Sequence, residues 1–589
     1  MKKLAALAVA SALLAACGGH GGSMPPMGTT PQSASQMGMG TTKSASIVQA
    51  PSGWANTSTQ AIPIANASDL GVAGATQAIT VRVGLQLHNM KQLQSEIAAG
   101  DQLDDGTFMA TYAPTSSDVS AVTTYLQSQG FSNITVAPNN LIVSADGTIA
   151  KAQTAFNTSI HSFSGGGTSF IANVAPAYVP SSLSGIVVAV LGLNNLQAMK
   201  PTPKVTSCQV FGVSSPSQQC LRFYDPATFQ KVYDAAGVTA ANTTPIAIMA
   251  EGDVTQSISD LRLNEQKFGL PQVPVNVVQV GLASPDTAGD GEWTLDTVYS
   301  SGIAQNVKAL YIYDTTSLTD SDVANEYNSW VTQHKTKIGN SSFGGCEFFP
   351  YIDGAMVLDD EVLAQAAAEG MTMFVSTGDN GGYCNNVIDT NGAPGGAPFT
   401  EYPASSPYVV AVGGTDLFSN TDGSYQGENA WEAGGGGLSQ FEYPPYWEQQ
   451  TQTVNSAGAL LFRGLPDIAM DASLETGAET WGGQAANGAC TPCVTGGTSL
   501  ASPLAAGSWA RFESAHGNRL GFAAALLYRN FQQHTAGTTL TGPPPTAPYG
   551  GFHDILTGSN GLYTAAPGYD YTTGLGSLDL AVMNSQIGN

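Results

Sequence analysis

Charge is what this chain has least of. Only 11% of its 589 residues are Asp, Glu, Lys or Arg, under half the share of an ordinary soluble protein. Its 19 basic residues face 44 acidic ones, for a net charge of −25. Nucleic acid is bound by clustered Lys and Arg, so that class of partner is excluded. Few charges also suit a protein working in acid, where carboxylates are neutralised with little self-repulsion; an ordinary acidic extracellular protein would have the same composition. Histidine is scarce, with seven in all, and His334 in "TQHKTKIG", ahead of Ser499, has none of the glycine-rich context that a subtilisin-type base would need. After the first residues, no apolar run is long enough to cross a bilayer. Of seven cysteines, one is Cys17 and the other six stand at 208, 220, 346, 384, 490 and 493. An even number in an exported chain predicts disulfides. Cys490-Thr-Pro-Cys493 lacks the second pair that a zinc site needs.

What is present begins with an export signal. "MKKLAALAVASALLAAC" has two lysines, a short apolar run and small residues before a cysteine. Leu14-Ala15-Ala16-Cys17 resembles the bacterial lipobox, which implies cleavage before Cys17 and acylation of its thiol. A plain secretory signal with a chance cysteine is the alternative. Such a length requires at least two domains. Residues 18–62 are rich in Gly, Ser, Met, Pro and Gln without periodicity and predict a tether. Residues 63–197 follow as a small α+β unit of split βαβ (ferredoxin-like) kind. It has an alternating strand at Val81, Val83, Leu85 and Leu87, then a helical pattern through Val119, Val122 and Leu126 with Gly130 as its stop. Two short strands and a helix through Ile149, Ala152 and Phe156 follow. "LQAMKPTPKV" then predicts an exposed, cleavable linker over 197–207. From 198 to 589, apolar strands ("IAIMA", "VNVVQV", "VKALYIY", "MTMFVS", "YVVAVGG") alternate with helical patterns. That rhythm predicts an α/β fold, a parallel sheet with helices on both faces, whose reacting residues collect beyond the strands' carboxyl ends.

In "TGGTSLASP", Ser499 follows two glycines at the mouth of a helix, where the dipole and backbone N–H groups favour a developing oxyanion. An N-cap serine would look the same locally. A histidine base is poorly supported, and at pH 4 a group of pKa about 6.5 would be only about 0.3% neutral. Carboxylates are better placed. Glu292 and Asp296 in "GEWTLD" are four apart, hence on one helical face. Like charges that close resist double ionisation, so one carboxyl keeps its proton to higher pH and can relay a serine's. Two solvated acids are the plainer account. Asp379 in "STGDNGG" follows a buried strand at its carboxyl end. Protonated, it could donate to an oxyanion; as an ordinary turn residue it would cap its own backbone. In the tail, "HDILTGSNGLYTAAPGYD" brings Asp554 and Asp570 into one glycine-rich loop, a donor set suited to calcium.

Together these motifs resemble the sedolisin family, the serine-carboxyl peptidases. The family's Glu-x-x-x-Asp is matched at Glu292 and Asp296, its Ser-Thr-Gly-Asp at Asp379, and its Gly-Thr-Ser-x-x-x-Pro at Ser499 and Pro503. "YPASSPYVVAVGGT" and "GLPDIAMDAS" extend the resemblance, and residues 75–197 resemble the activation domain of kumamolisin precursors. It implies a subtilisin-like fold and an acid-acting, self-processing endopeptidase. Ser499 is then the nucleophile, Glu292 the base, Asp296 its support and Asp379 the oxyanion donor. It also implies one structural Ca2+ held in the loop at about 552–572 by Asp554, Asp570 and the carbonyls of Ile555, Ala566 and Gly568. The expected partners are polypeptide substrates and the chain's own prodomain as intramolecular inhibitor. A monomer is expected, with the precursor lipid-anchored through Cys17 and the mature domain extracellular. "NSSFGGCE" has Phe343 where some relatives carry Trp or Tyr, leaving the pocket preference open. A non-catalytic surface binding protein on a peptidase scaffold is the alternative; a glycoside hydrolase using the acid pair would leave Ser499 unemployed.

Overall fold

A computed structural model describes residues 49–64, 67–165, 167–196, 199–201, 204–206, 223–384, 398–449, 451, 462–485, 488–536 and 548–588. The lipobox and Cys17 lie outside the described residues. Among these residues, no helix is long and apolar enough to cross a membrane.

The N-terminal unit carries a four-stranded antiparallel sheet in the order Ser132–Val136, Ile142–Thr148, Ala78–Leu85, Val187–Leu191. Ala78–Leu85 connects to Ser132–Val136 through helices, and Ile142–Thr148 is inserted between them, the split βαβ arrangement expected. Alternation decides the strand's faces: Val81, Val83 and Leu85 are buried against Val122, Leu126 and Ile149. The helix Ser116–Ser128 begins at a capping box in which Thr115 and Asp118 satisfy each other's backbone N–H groups. The tether expected to reach residue 62 ends earlier. Trp54–Asn56 pairs antiparallel with Tyr178–Pro180, and Thr57, Thr59 and Ile62 are buried. A three-residue edge strand has no periodicity to betray it.

The C-terminal unit is built on an eight-stranded sheet. Six strands run parallel in the order Val275–Val280, Leu310–Thr315, Ile246–Glu251, Ile338–Ser341, Thr372–Ser376, Val410–Ser419. Ile246–Glu251 and Thr372–Ser376 are buried throughout, as strands covered on both faces must be. The helices Asp290–Ala304 and Thr498–Ala515 pack closely together, and Asp320–Gln333 and Ala355–Ala368 form a second pair. This is the α/β class expected from the strand–helix rhythm, and it agrees with the subtilisin-like fold that the family resemblance implies.

The first unit's sheet sits on the second helix pair. Leu87 N–H donates to Glu361 at 3.0 Å, Arg82 pairs with Asp322 at 3.1 Å, and Asn139 Nδ2 donates to Gln365 at 2.8 Å. The linker that follows enters two sheets of the larger unit. Lys200–Pro201 pairs antiparallel with Phe343–Gly344, and Lys204–Thr206 pairs antiparallel with Val494–Gly496.

Candidate active site

Ser499 is the second residue of the helix Thr498–Ala515 and is 3% exposed. The turn before it depends on Gly497, whose φ is +99° and where a Cβ would stand 2.6 Å from Asp379 Oδ2. Asp379 lies three residues past the strand Thr372–Ser376, at the sheet's carboxyl edge. Its Oδ1 accepts the Thr498 backbone N–H at 2.8 Å and the Thr498 hydroxyl at 3.0 Å. The Thr498 hydroxyl in turn accepts the Gly378 N–H at 3.0 Å. The aspartate turn and the serine's helix are thereby joined on both sides.

Glu292 and Asp296 share one face of the helix Asp290–Ala304, and both are fully buried. Burial is the largest cause pushing the Glu292 pKa well above the usual glutamate range, and the neighbouring Asp296 charge adds to it. The Ser499 hydroxyl opposes that rise, which puts the serine beside this carboxyl, although neither Glu292 oxygen has a hydrogen bond of full geometry. Looseness of this order is usual before a substrate is bound. Asp296 is raised to about 8 by burial, against the lowering effect of Ser342 and Asn340. No described histidine bonds Ser499; His553, for example, stacks on Tyr425.

Four residues that sequence reasoning passed over complete the setting. Ser342 Oγ donates to Asp296 Oδ1 at 2.6 Å and lies 3.5 Å from the Ser499 carbonyl oxygen. Asn340 Nδ2 donates to Ser342 Oγ at 3.1 Å, while Asn340 Oδ1 accepts from Ser502 Oγ at 2.7 Å. A chain of hydroxyls and one amide therefore ties the acid pair to the serine's helix. Gly435, in the glycine run 434–437, also has a place here, since its N–H donates to the Gly378 carbonyl at 2.7 Å. Phe343 is buried edge-on to Trp293 and stacked on Tyr327. Near it, Cys346 and Cys384 lie within disulfide distance.

The tail loop brings its two acids together. The Gly568 N–H donates to both Asp554 oxygens at 3.1 Å, and the Ala566 N–H to Asp570 Oδ2 at 3.0 Å. Burial lifts Asp554 to about 6, and the Asp570 charge contributes in the same direction. Among the described residues, no Lys, Arg or His pairs with either carboxylate. A buried and a half-buried acid lacking a counter-charge fit a cation-binding loop. Ile555, adjoining Asp554, is 2% exposed.

A carboxyl pair beside a serine at a helix mouth, on a subtilisin-like sheet, defines a class of serine peptidase. Residues 280–554 match the profile described as the subtilase family, and residues 65–196 match the pro-kumamolisin activation domain. The chain is 35% identical over 574 residues to sedolisin of Pseudomonas sp. (strain 101), covering 91% of this chain and 92% of that protein. It is 34% identical over 564 residues to xanthomonalisin of Xanthomonas sp. (strain T-22), covering 86% of this chain and 65% of that one. The solved structure of Pseudomonas sedolisin, a serine-carboxyl proteinase complexed with pseudo-iodotyrostatin, superposes with a TM-score of 0.54 at 34% identity. That match covers 62% of this chain and 98% of the solved one. The chain belongs to the sedolisin family of serine-carboxyl peptidases.

Proposed function

We propose that this protein is the precursor of an acid-acting endopeptidase that cuts its own linker and then other polypeptides. The observation that carries this reading is the course of that linker. Its strands Lys200–Pro201 and Lys204–Thr206 add antiparallel to two different edges. One edge adjoins Ser342, and the other ends three residues before Ser499. Strand addition is how extended peptides are commonly held, so the linker lies as a substrate would. The prodomain, packed on the helices behind the sheet, keeps the linker there as an intramolecular inhibitor.

In the reaction, Ser499 Oγ attacks a peptide carbonyl and its proton passes to Glu292. Asp296 keeps Glu292 oriented, and is itself oriented by Ser342. Asp379 has Oδ1 occupied by the two Thr498 donors. When protonated it would carry the proton on Oδ2, from which it would donate to the oxyanion beside the Ser499 backbone N–H. Collapse expels the amine, which takes the proton from Glu292. Water then attacks the acyl-enzyme by the reverse proton path.

A calcium ion held by Asp554, Asp570 and the carbonyls of Ile555, Ala566 and Gly568 would supply the missing counter-charge and stiffen the loop. Export with Cys17 lipidated would tether the precursor by its prodomain, and processing would release the peptidase as a monomer outside the cell. A peptide aldehyde tests the nucleophile directly. The acid-processed wild type gains the mass of one inhibitor per chain and Ser499→Ala gains none. Equal labelling of the two would contradict the assignment.

A further inference from the structure

We propose that Asp105, His334 and Glu369 form a zinc site that spans the N-terminal unit and the peptidase unit. Zinc held there ties the prodomain to the helices on which it sits, and only the precursor has all three ligands. The inference does not depend on the peptidase reading above, because it concerns a precursor that need not react.

Three helix ends meet at this point. Asp105 opens the helix Asp105–Thr111 of the N-terminal unit. That helix is capped by another residue, Asp104, whose carboxylate accepts the Thr107 backbone N–H at 3.0 Å and the Thr107 hydroxyl at 2.8 Å. Asp105 is thereby spared the capping role. His334 and Glu369 stand at the carboxyl ends of Asp320–Gln333 and Ala355–Ala368, the helix pair under the prodomain. A main-chain contact fixes the junction, since the Leu103 N–H donates to the Ala368 carbonyl at 2.8 Å.

The donors have the spacing of a metal's ligands. One imidazole nitrogen and one oxygen of each carboxylate lie within 4.8 Å of one another. Glu369 Oε2 stands 3.3 Å from His334 Nδ1, and Asp105 Oδ1 stands 3.8 Å from His334 Nε2. Tetrahedral zinc with bonds of about 2.0–2.2 Å sets its donors about 3.4 Å apart. Reaching that geometry needs only rotation of His334 and Asp105, whose side chains are 42% and 60% exposed. Water fills the fourth position.

Glu369 itself calls for a cation. Its Oε1 accepts Gln365 Nε2 at 2.9 Å, while Oε2 is buried and has no hydrogen bond among the described residues. The two lysines that follow His334 are engaged elsewhere. Lys337 Nζ donates to Gln102 Oε1 at 3.0 Å, and Lys335 lies over the Tyr311 ring. Among the described residues, no Lys or Arg pairs with Asp105 or Glu369. A protonated His334 brings one positive charge to two carboxylates, whereas a divalent ion matches both. One nitrogen and two carboxylate oxygens suit zinc; calcium, which takes six to eight oxygens, is poorly served here.

The test uses the full-length Ser499→Ala precursor, which cannot cut itself, titrated with zinc chloride in a calorimeter at pH 7 with calcium present. One equivalent should bind. In the same background, Asp105→Asn and His334→Asn should each weaken it about tenfold or more. Asparagine suits the left-handed backbone at 334, where φ is +48°, so that variant keeps its helix end. Zinc should also raise the Tm of the parent and change that of either variant much less. Absence of binding overturns the inference and leaves an imidazole–carboxylate ion pair only. Binding retained by both variants places the ion elsewhere and overturns it too. Weakening in His334→Asn alone, with Asp105→Asn equal to the parent, overturns the span between the two units.

Discussion

Asp379 Oδ1 accepts the backbone N–H of Thr498 at 2.8 Å, joining residues 119 apart in sequence at the point where the serine's helix begins. The acid is thereby held to the same turn as the nucleophile. Replacing Asp379 by Ala removes both an oxyanion donor and this tie. The expected loss in kcat is about 10²- to 10³-fold, with KM changed much less. Ser499→Ala should lose roughly 10⁴-fold or more. Steady-state kinetics on one peptide checks both, and an Asp379→Ala enzyme with kcat near that of wild type contradicts the role given to the aspartate.

Asp296 raises the pKa of Glu292. In Asp296→Asn that charge is gone, so Glu292 ionises at lower pH and the acid limb of kcat/KM moves down. The Ser342 hydroxyl then donates to an amide oxygen, a weaker acceptor than a carboxylate, so Glu292 is held less firmly and kcat falls as well. A pH–rate profile measures both, and an unmoved acid limb would contradict the coupling.

Acid should stabilise this fold. Burial raises Glu251, Asp314 and Glu347 to about 7 and Glu361 to about 8. The ordinary values are 3.8 for Asp and 4.5 for Glu. Between the two sets of values the folded chain holds protons that the unfolded chain has released. Stability is therefore fully present below about pH 4 and is lost as pH rises through 7 to 8. For Ser499→Ala, which cannot cut itself, calorimetry should give a Tm at pH 4 roughly 5 °C or more above that at pH 8. A higher Tm at pH 8 would reverse the sign of this account.

Removing calcium should loosen the tail. Chelation should lower the Tm of the wild type, by an amount equivalent to about 2.7 kcal/mol if calcium stood at a hundred times its Kd. Asp570→Asn should start at the lower Tm and respond little to chelator. A chelator effect of the same size in both would place the ion elsewhere.

Much of this site was legible because its demands are local. Gly497 before Ser499, the four-residue spacing of Glu292 and Asp296, and an acid just past a buried strand each follow from one turn or one helix. The alternating Val81, Val83 and Leu85 likewise announced their sheet. Asn340 and Ser342 gave no such sign, because each matters through a neighbour far away in the chain. Ser342 meets Asp296 across 46 residues. The strand Trp54–Asn56 was missed for the related reason that its pairing partner, Tyr178–Pro180, is more than a hundred residues on.

The central claim is that Ser499 cuts the linker whose strands pair on either side of the site. The most direct measurement acidifies purified precursor to about pH 4, wild type beside Ser499→Ala, and follows chain length and the new N-terminus by mass spectrometry. The account predicts that the wild type alone shortens, with its new N-terminus inside residues 199–207. Shortening of both variants at the same rate would contradict it.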